Sequence, residues 1–328
     1  MLAPLERPFL PEAASAIRAA HRIVLACHVN PDGDALGSLL GLTFALEVLG
    51  KEVVPLSADG VPPLLEFLPG AGRVQTATDR RDFDLSIVVD SGDLSRVGMS
   101  RDTVLSSPHV LDIDHHVTAG AFGDLRLLDS DAAATAEILY DLIVFLGVPV
   151  TTDIAQCLLC GLLTDTGSFR FMNVTPRTMA LAGELIARGA SPNTIAEAVF
   201  ENKPWAAQKL MGRALDSLQR SVDGRVVWAH IRQSDFVELG GTDADTEGVV
   251  SAIRAVRGAE VAALLREMPS GRLRVSLRAR EPVDVATVAA RFGGGGHRLA
   301  AGCTLEGPLE QAETLLVAEL QNALGPAI

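Results

Sequence analysis

The sequence predicts an α/β protein. An N-terminal parallel sheet with helices on both faces is followed by a smaller mixed α/β domain, with a cleft between the two. Three observations lead there. Strand-length apolar runs alternate with helix-length stretches through the first half of the chain. Those runs carry few polar residues, as strands buried on both faces do. The 328 residues, 48% of them hydrophobic, suffice for two domains with separate cores.

Residues 22–27 form a β-branched and apolar run ending at His28. Residues 34–49 read as a helix with Leu36, Leu39, Leu40 and Thr43 on one face and Gly50 as its stop. Residues 53–56 predict a second strand, 85–89 a third ending at Asp90, and 110–113 a fourth ending at Asp114. A helix over 132–146 takes Ser130 or Asp131 as its cap, with Gly147 beyond it. The stretch 154–189 reads as helical, broken by a loop over 164–176. We place a first domain over 1–190, a helical linker over 191–215 and a second domain over 216–328. Within the last, 225–231, 260–266 and 273–279 read as strands, and Gly293 to Gly296 as an exposed backbone loop.

Composition narrows the function classes. The net charge of −13 argues against a long nucleic acid as the main partner, since that affinity comes from many basic contacts. Short anionic ligands stay open, because bound metals bring positive charge. No apolar stretch reaches membrane-span length, and the N-terminus lacks the order of a signal peptide, so we expect a soluble, cytoplasmic protein without a membrane partner. Cys157 and Cys160 sit one turn apart in a helical stretch with no second thiol pair, and read as small core residues.

The chemistry gathers at strand ends, where ligands bind in open parallel sheets. His28 is followed by Pro31-Asp32-Gly33-Asp34, a tight turn that folds carboxylates back towards the imidazole. The alternative is plain turn chemistry for Asp32 and helix capping for Asp34. Asp90 gains weight from its company. Asp114-His115-His116 closes a buried strand; neighbouring side chains diverge, so we assign His115 to metal and His116 to a substrate phosphate or a hydrogen bond behind the ligands. Asp114 then orients an imidazole. Asp165 lies where an apolar helix enters a polar loop with Gly167. Near the C-terminus, Gly293 to Gly296 precede His297 and Arg298, within a stretch, 271–298, that holds six arginines, Arg278 among them, against two acids. Glycine backbone and guanidinium both suit phosphate.

Taken in order, His28-x-x-Pro31-Asp32-x-Asp34-Ala35, Val89-Asp90, Asp114-His115-His116 and Asp165-Thr166-Gly167-x-Phe169-Arg170 resemble the motifs of the DHH phosphoesterase superfamily, which includes the RecJ-like nucleases. Gly293 to His297 with Ala300-Ala301-Gly302 is similar to the DHH-associated substrate-binding domain of its nanoRNase and pAp-phosphatase branch. The resemblance implies two Mn2+ ions, with Mg2+ as the alternative, about 3.5–4 Å apart. His28 and Asp32 would hold one ion, Asp34, His115 and Asp165 the other, and Asp90 both. Catalysis would rest on Asp90, Asp114, His115 and His116. His116, Arg278, Gly295, Gly296, His297 and Arg298 would hold substrate, the second domain closing over it to favour short ligands. The implied substrates are short oligoribonucleotides and the 3′-phosphate of pAp, with pApA and cyclic-di-AMP as the alternative. A non-catalytic nucleotide sensor is the competing class, and homodimerisation is compatible with the family.

Overall fold

In a computed structural model, residues 2–116, 122–280 and 282–324 are described. The chain forms two compact units, Met1–Asn202 and Lys203–Ile328. The first holds five strands, β1 (Arg22–Ala26), β2 (Glu52–Leu56), β3 (Leu85–Val89), β4 (Val110–Asp114) and β5 (Leu125–Leu128). All pair in parallel in the order β2-β1-β3-β4-β5. Its helices are α1 (Leu10–Ala19), α2 (Gly33–Val48), α3 (Arg101–Val104), α4 (Thr135–Phe145), α5 (Thr152–Asp165), α6 (Pro176–Ala187) and α7 (Pro192–Phe200). Alternate residues of β1 enter different cores. Ile23 and Leu25 join the large core built with α1, α2, α4 and α5, while Val24 and Ala26 meet Val97 and Val104 on the other face.

The strand order reverses at β1, so the ends of β1 and β3 flank a topological switch point, the usual ligand crevice of an open parallel sheet. His28, Asp90 and Asp114 follow or end β1, β3 and β4, which are consecutive in the sheet.

The helix expected to be apolar along one face is buried nearly all round. In α2 every residue from Gly33 to Thr43 is inaccessible, because the helix is sandwiched between the sheet and α5. Each of its buried leucines is worth about 2 kcal/mol of transfer free energy. Glycines let the helices approach. A Cβ on Gly37 would strike the Cys157 carbonyl, one on Gly41 would lie 3.1 Å from Leu158 Cδ2, and Gly33 lies against Thr164. The two helices therefore run antiparallel, and the first turn of α2 meets the last turn of α5. Cys157 and Cys160 are buried free thiols of α5.

Two expectations need correction. The helix of 132–146 starts only at Thr135, and its N-cap position, Ala134, offers no side-chain cap; neither Ser130 nor Asp131 serves. Its first N–H groups bond instead to Asp34 of α2. The stretch 191–215 is divided: α7 belongs to the first unit, and the chain passes to the second between Asn202 and Lys203.

The second unit holds α8 (Trp205–Asp216), β6 (Gln219–Arg220), β7 (Val226–Ile231), α9 (Gln233–Leu239), α10 (Val249–Arg254), β8 (Val261–Glu267), β9 (Leu273–Ala279), α11 (Val285–Arg291), β10 (Gly295–His297), β11 (Ala300–Leu305) and α12 (Leu309–Leu324). Its sheet runs β10-β11-β9-β8-β7-β6, mixed because only β7 and β8 pair in parallel. The glycine run is not a free loop. Gly295 to His297 pair with β11, and a Cβ on Gly296 (φ 141°) would meet the Ala300 carbonyl oxygen at 2.6 Å. Only glycine permits that hairpin. No helix among the described residues is long and apolar enough to cross a membrane.

Candidate metal centre

The turn after β1 brings Asp32 towards His28, and the alternative that Asp34 caps the next helix does not hold. Asp32, not Asp34, caps α2: its Oδ1 accepts from the Asp34 and Ala35 N–H groups, each at 3.0 Å. Its Oδ2 lies 3.8 Å from His28 Nε2, and Asp90 Oδ2 is 3.6 Å from the same nitrogen. His28 Nδ1–H donates to the Val29 carbonyl at 2.8 Å, which leaves Nε2 with its lone pair facing the carboxylates.

Asp34 is fully buried. Its Oδ2 accepts from Thr135 N at 2.6 Å and its Oδ1 from Ala136 N at 3.0 Å, so the N-terminus of α4 compensates its charge. Gly161 makes room for it: a Cβ there would lie 2.9 Å from Ala136 Cβ and closer still to Asp34 Oδ1.

His115 Nε2 lies 3.0 Å from Asp165 Oδ2, 3.6 Å from Asp90 Oδ1 and 4.0 Å from Asp34 Oδ2. Asp165 is the last residue of α5, delivered here by the glycine seam. The turn behind it passes through positive φ at Gly167, Ser168 and Phe169 (55°, 59° and 62°). Asp90 also has φ of 55°, a left-handed conformation unusual for aspartate at a strand end. Thr135 Oγ1 donates to Asp90 Oδ1 at 3.0 Å.

His116 directs its Nδ1 at Asp114 while staying beside Asp90. Its Nδ1 donates to Asp114 Oδ1 at 2.7 Å and lies 3.7 Å from Asp90 Oδ1. Asp114, wholly buried, also accepts from the backbone of Gly92, His115 and His116. Three donor sets result: His28, Asp32 and Asp90; Asp34, His115 and Asp165; and Asp90, Asp114, His115 and His116. Within each set the donor atoms lie within 4.8 Å of one another.

Crowding of carboxylates governs the electrostatics. Burial, with Asp90 and Asp165 nearby, drives the Asp34 carboxyl well above the ordinary range. Asp165 is raised by burial against the contrary pull of His115. Burial disfavours a charged His115, yet Asp165 and Asp34 outweigh it and lift its pKa to about 10. In His28 the same opposition of burial by Asp90 and the Val29 carbonyl ends in a raised pKa. His116 is raised chiefly by Asp114; Asp114 is itself lowered, burial being overcome by His116. Divalent cations would neutralise this excess of negative charge, and mixed imidazole and carboxylate donors suit such ions.

The helix α4 that holds Asp34 is itself held by groups the sequence did not announce. Arg7, 5% exposed, binds Asp141 at 2.8 Å, Asp129 closely and Glu137 at 3.4 Å. Glu137 in turn accepts from Ala133 N, one residue before the α4 N-cap. No local pattern links Arg7 to residues more than 120 positions away. Thr135 follows three alanines and carried no signal either.

The expected substrate residues lie in the second unit. His297 is opposite Ala300, and Ala300 opposite Arg278, so the three occupy one cross-strand row. Arg278 is half-buried, which lowers its pKa, with Arg254 adding to the effect. Arg298 donates to the Pro282 carbonyl at 2.8 Å.

A parallel sheet whose adjacent strand ends gather imidazoles and carboxylates defines a divalent-metal α/β protein. The particular family follows from comparison. Residues 22–162 match the DHH family, N-terminal domain, and residues 207–325 match the DHHA1 domain. The chain is 38% identical over 292 residues to the bifunctional oligoribonuclease and PAP phosphatase NrnA of Thermus thermophilus, covering 88% of this chain and 86% of that protein. It is 31% identical to the protein of the same description from Bacillus subtilis, over 86% and 89% of the two chains. The crystal structure of an exopolyphosphatase-related protein from Bacteroides fragilis superposes with a TM-score of 0.88 at 25% identity, covering 96% of each chain. The chain belongs to the DHH family.

Proposed function

We propose that this protein is a manganese-dependent phosphoesterase that hydrolyses short oligoribonucleotides and removes the 3′-phosphate of pAp. The observation that carries the reading is Asp90, whose two oxygens each lie 3.6 Å from a different histidine of a different donor set. A carboxylate so placed suits a pair of cations. His28 and Asp32 are assigned to one ion, Asp34, His115 and Asp165 to the other, and Asp90 to both. Bound there, the ions supply an activated water and stabilise charge on the attacking and leaving oxygens. The relatives described as oligoribonucleases and PAP phosphatases support the substrate class.

The chain's own groups set the geometry. The Val29 carbonyl fixes the tautomer of His28, and the α4 N-terminus holds Asp34. Asp114 keeps His116 turned and favours its imidazolium form, in which Nδ1–H bonds to Asp114 and Nε2–H would be available to a phosphoryl oxygen. Arg278, Gly295, Gly296, His297 and Arg298 are assigned to the remainder of the nucleotide, Arg278 and His297 from one row of the sheet.

The test is a comparative assay on chelator-stripped protein reloaded with Mn2+ or Mg2+. The substrates are pAp, RNAs of two to five nucleotides, pApA, cyclic-di-AMP and a long single strand. Mn2+-dependent release of AMP and phosphate from pAp, and of mononucleotides from the short RNAs, is expected. Tight binding of pApA without turnover would make the protein a sensor. A ladder from the long strand would make it a processive exonuclease.

A further inference from the structure

The segment after Asp90 carries a residue outside every motif considered so far. Arg96 lies in the short 3-10 stretch Leu94–Ser100, where Val97 is fully buried and anchors the turn. The Arg96 carbonyl accepts from Val29 N at 2.6 Å, so its backbone is tied to the residue after His28. Its side chain is exposed, and its guanidinium makes no hydrogen bond or close ion pair among the described residues, though its charge acts weakly on Asp93. That is unusual beside so many carboxylates. Nearby Asp114 is already committed, its Oδ2 to Gly92 N–H and its Oδ1 to His115 and His116.

The guanidinium lies beside Gly92. With φ of 65° this residue turns the chain sharply, and only a methyl-sized gap separates its neighbours there. An atom in the Cβ position would lie 3.5 Å from Arg96 Nη1 and 3.8 Å from both Asp114 Oδ2 and His116 Cγ. Arg96 and His116 thus border the same space, and His116 is 3.7 Å from Asp90. An uncommitted guanidinium with a rooted backbone, at the rim of an anionic cluster, is placed to meet an anion brought in by metals. Its planar fork matches two phosphoryl oxygens.

We infer that Arg96 binds the phosphoryl group undergoing hydrolysis, gripping its non-bridging oxygens beside His116 and opposing the charge that develops on them. The inference rests on the phosphoesterase reading, and adds a residue that contributes to substrate choice by demanding a phosphoryl group at that position.

The experiment compares wild type, Arg96→Ala and Arg96→Lys in two measurements on the Mn2+-loaded protein. One is steady-state hydrolysis of pAp and pApA; the other is equilibrium binding of inorganic phosphate. Arg96→Ala should lower kcat/KM about 30-fold and weaken phosphate binding, with Mn2+ stoichiometry and affinity unchanged. Arg96→Lys should recover only part of the loss, since it keeps the charge without the fork. Arg96→Ala within threefold of wild type in both measurements would overturn the inference. So would a loss that tracks weakened Mn2+ binding, which would make Arg96 a support for the turn rather than a substrate contact. Phosphate binding that depends on Arg96 in a wild type that hydrolyses neither substrate would sink the phosphoesterase reading and leave the Arg96 contact standing.

Discussion

Replacing Gly161 with alanine tests whether the α2–α5 seam sets the metal site. The added methyl would lie 2.9 Å from Ala136 Cβ and closer to Asp34 Oδ1, where ordinary contact needs about 3.5 Å. Relief requires Asp34 to withdraw by about 1 Å or the helices to part. Withdrawal breaks the bonds from Thr135 N and Ala136 N to Asp34, at 2.6 and 3.0 Å. Overpacking of this kind costs about 1–3 kcal/mol of stability. A displacement of about 1 Å at a reacting centre costs about 100-fold in rate. The larger effect therefore falls on catalysis: Gly161→Ala should remain folded, bind Mn2+ more weakly at one site and lose about 100-fold in kcat on pAp. Thermal denaturation, calorimetric Mn2+ titration and steady-state kinetics read the three quantities. Wild-type kcat with wild-type Mn2+ affinity would refute the argument that this glycine positions Asp34.

Asp90→Asn should abolish Mn2+-dependent hydrolysis while circular dichroism stays native, and full activity would remove its shared role. His297→Ala should raise KM at least about 10-fold with kcat nearly unchanged, and an altered kcat at constant KM would count against a binding role. Asp112, in the middle of β4, is buried with neither carboxylate oxygen hydrogen-bonded among the described residues. Burial and then Asp114, against the pull of Arg126, push its pKa up to about 8. The folded protein thus holds this proton more tightly than the unfolded chain, so stability present below about pH 4 is lost as pH rises towards 8. Asp112→Asn should therefore raise Tm clearly more at pH 8 than at pH 5, where only a small part of the loss has set in; an equal shift at both would show that ionisation is not the cause.

Strands β1 to β4 and β7 to β9 and the candidate donor groups were legible in the sequence because each rests on local chemistry, whereas β5, β6, β10 and β11 were not anticipated. An apolar run such as 85–89 has one way to be buried, and Asp114-His115-His116 has no reason of propensity to follow a strand. The order His28, Asp90, Asp114 after successive runs also placed these groups at one sheet edge, since parallel strands share a direction. Local reading failed where the partner is distant. It gave α4 a cap at Ser130 or Asp131, when the helix is capped by Asp34 from about a hundred residues away. It read Gly293 to Gly296 as a loop, when backbone pairing with β11 draws part of that run into the sheet. It passed over Arg7, Arg96 and Thr135, whose meaning lies in what they face. Sequence by itself therefore determined which chemical groups are present and which strand ends carry them. Tertiary structure alone decided their distances and which oxygens remained free, because glycine seams, helix termini and buried ion networks join positions that no spacing rule connects.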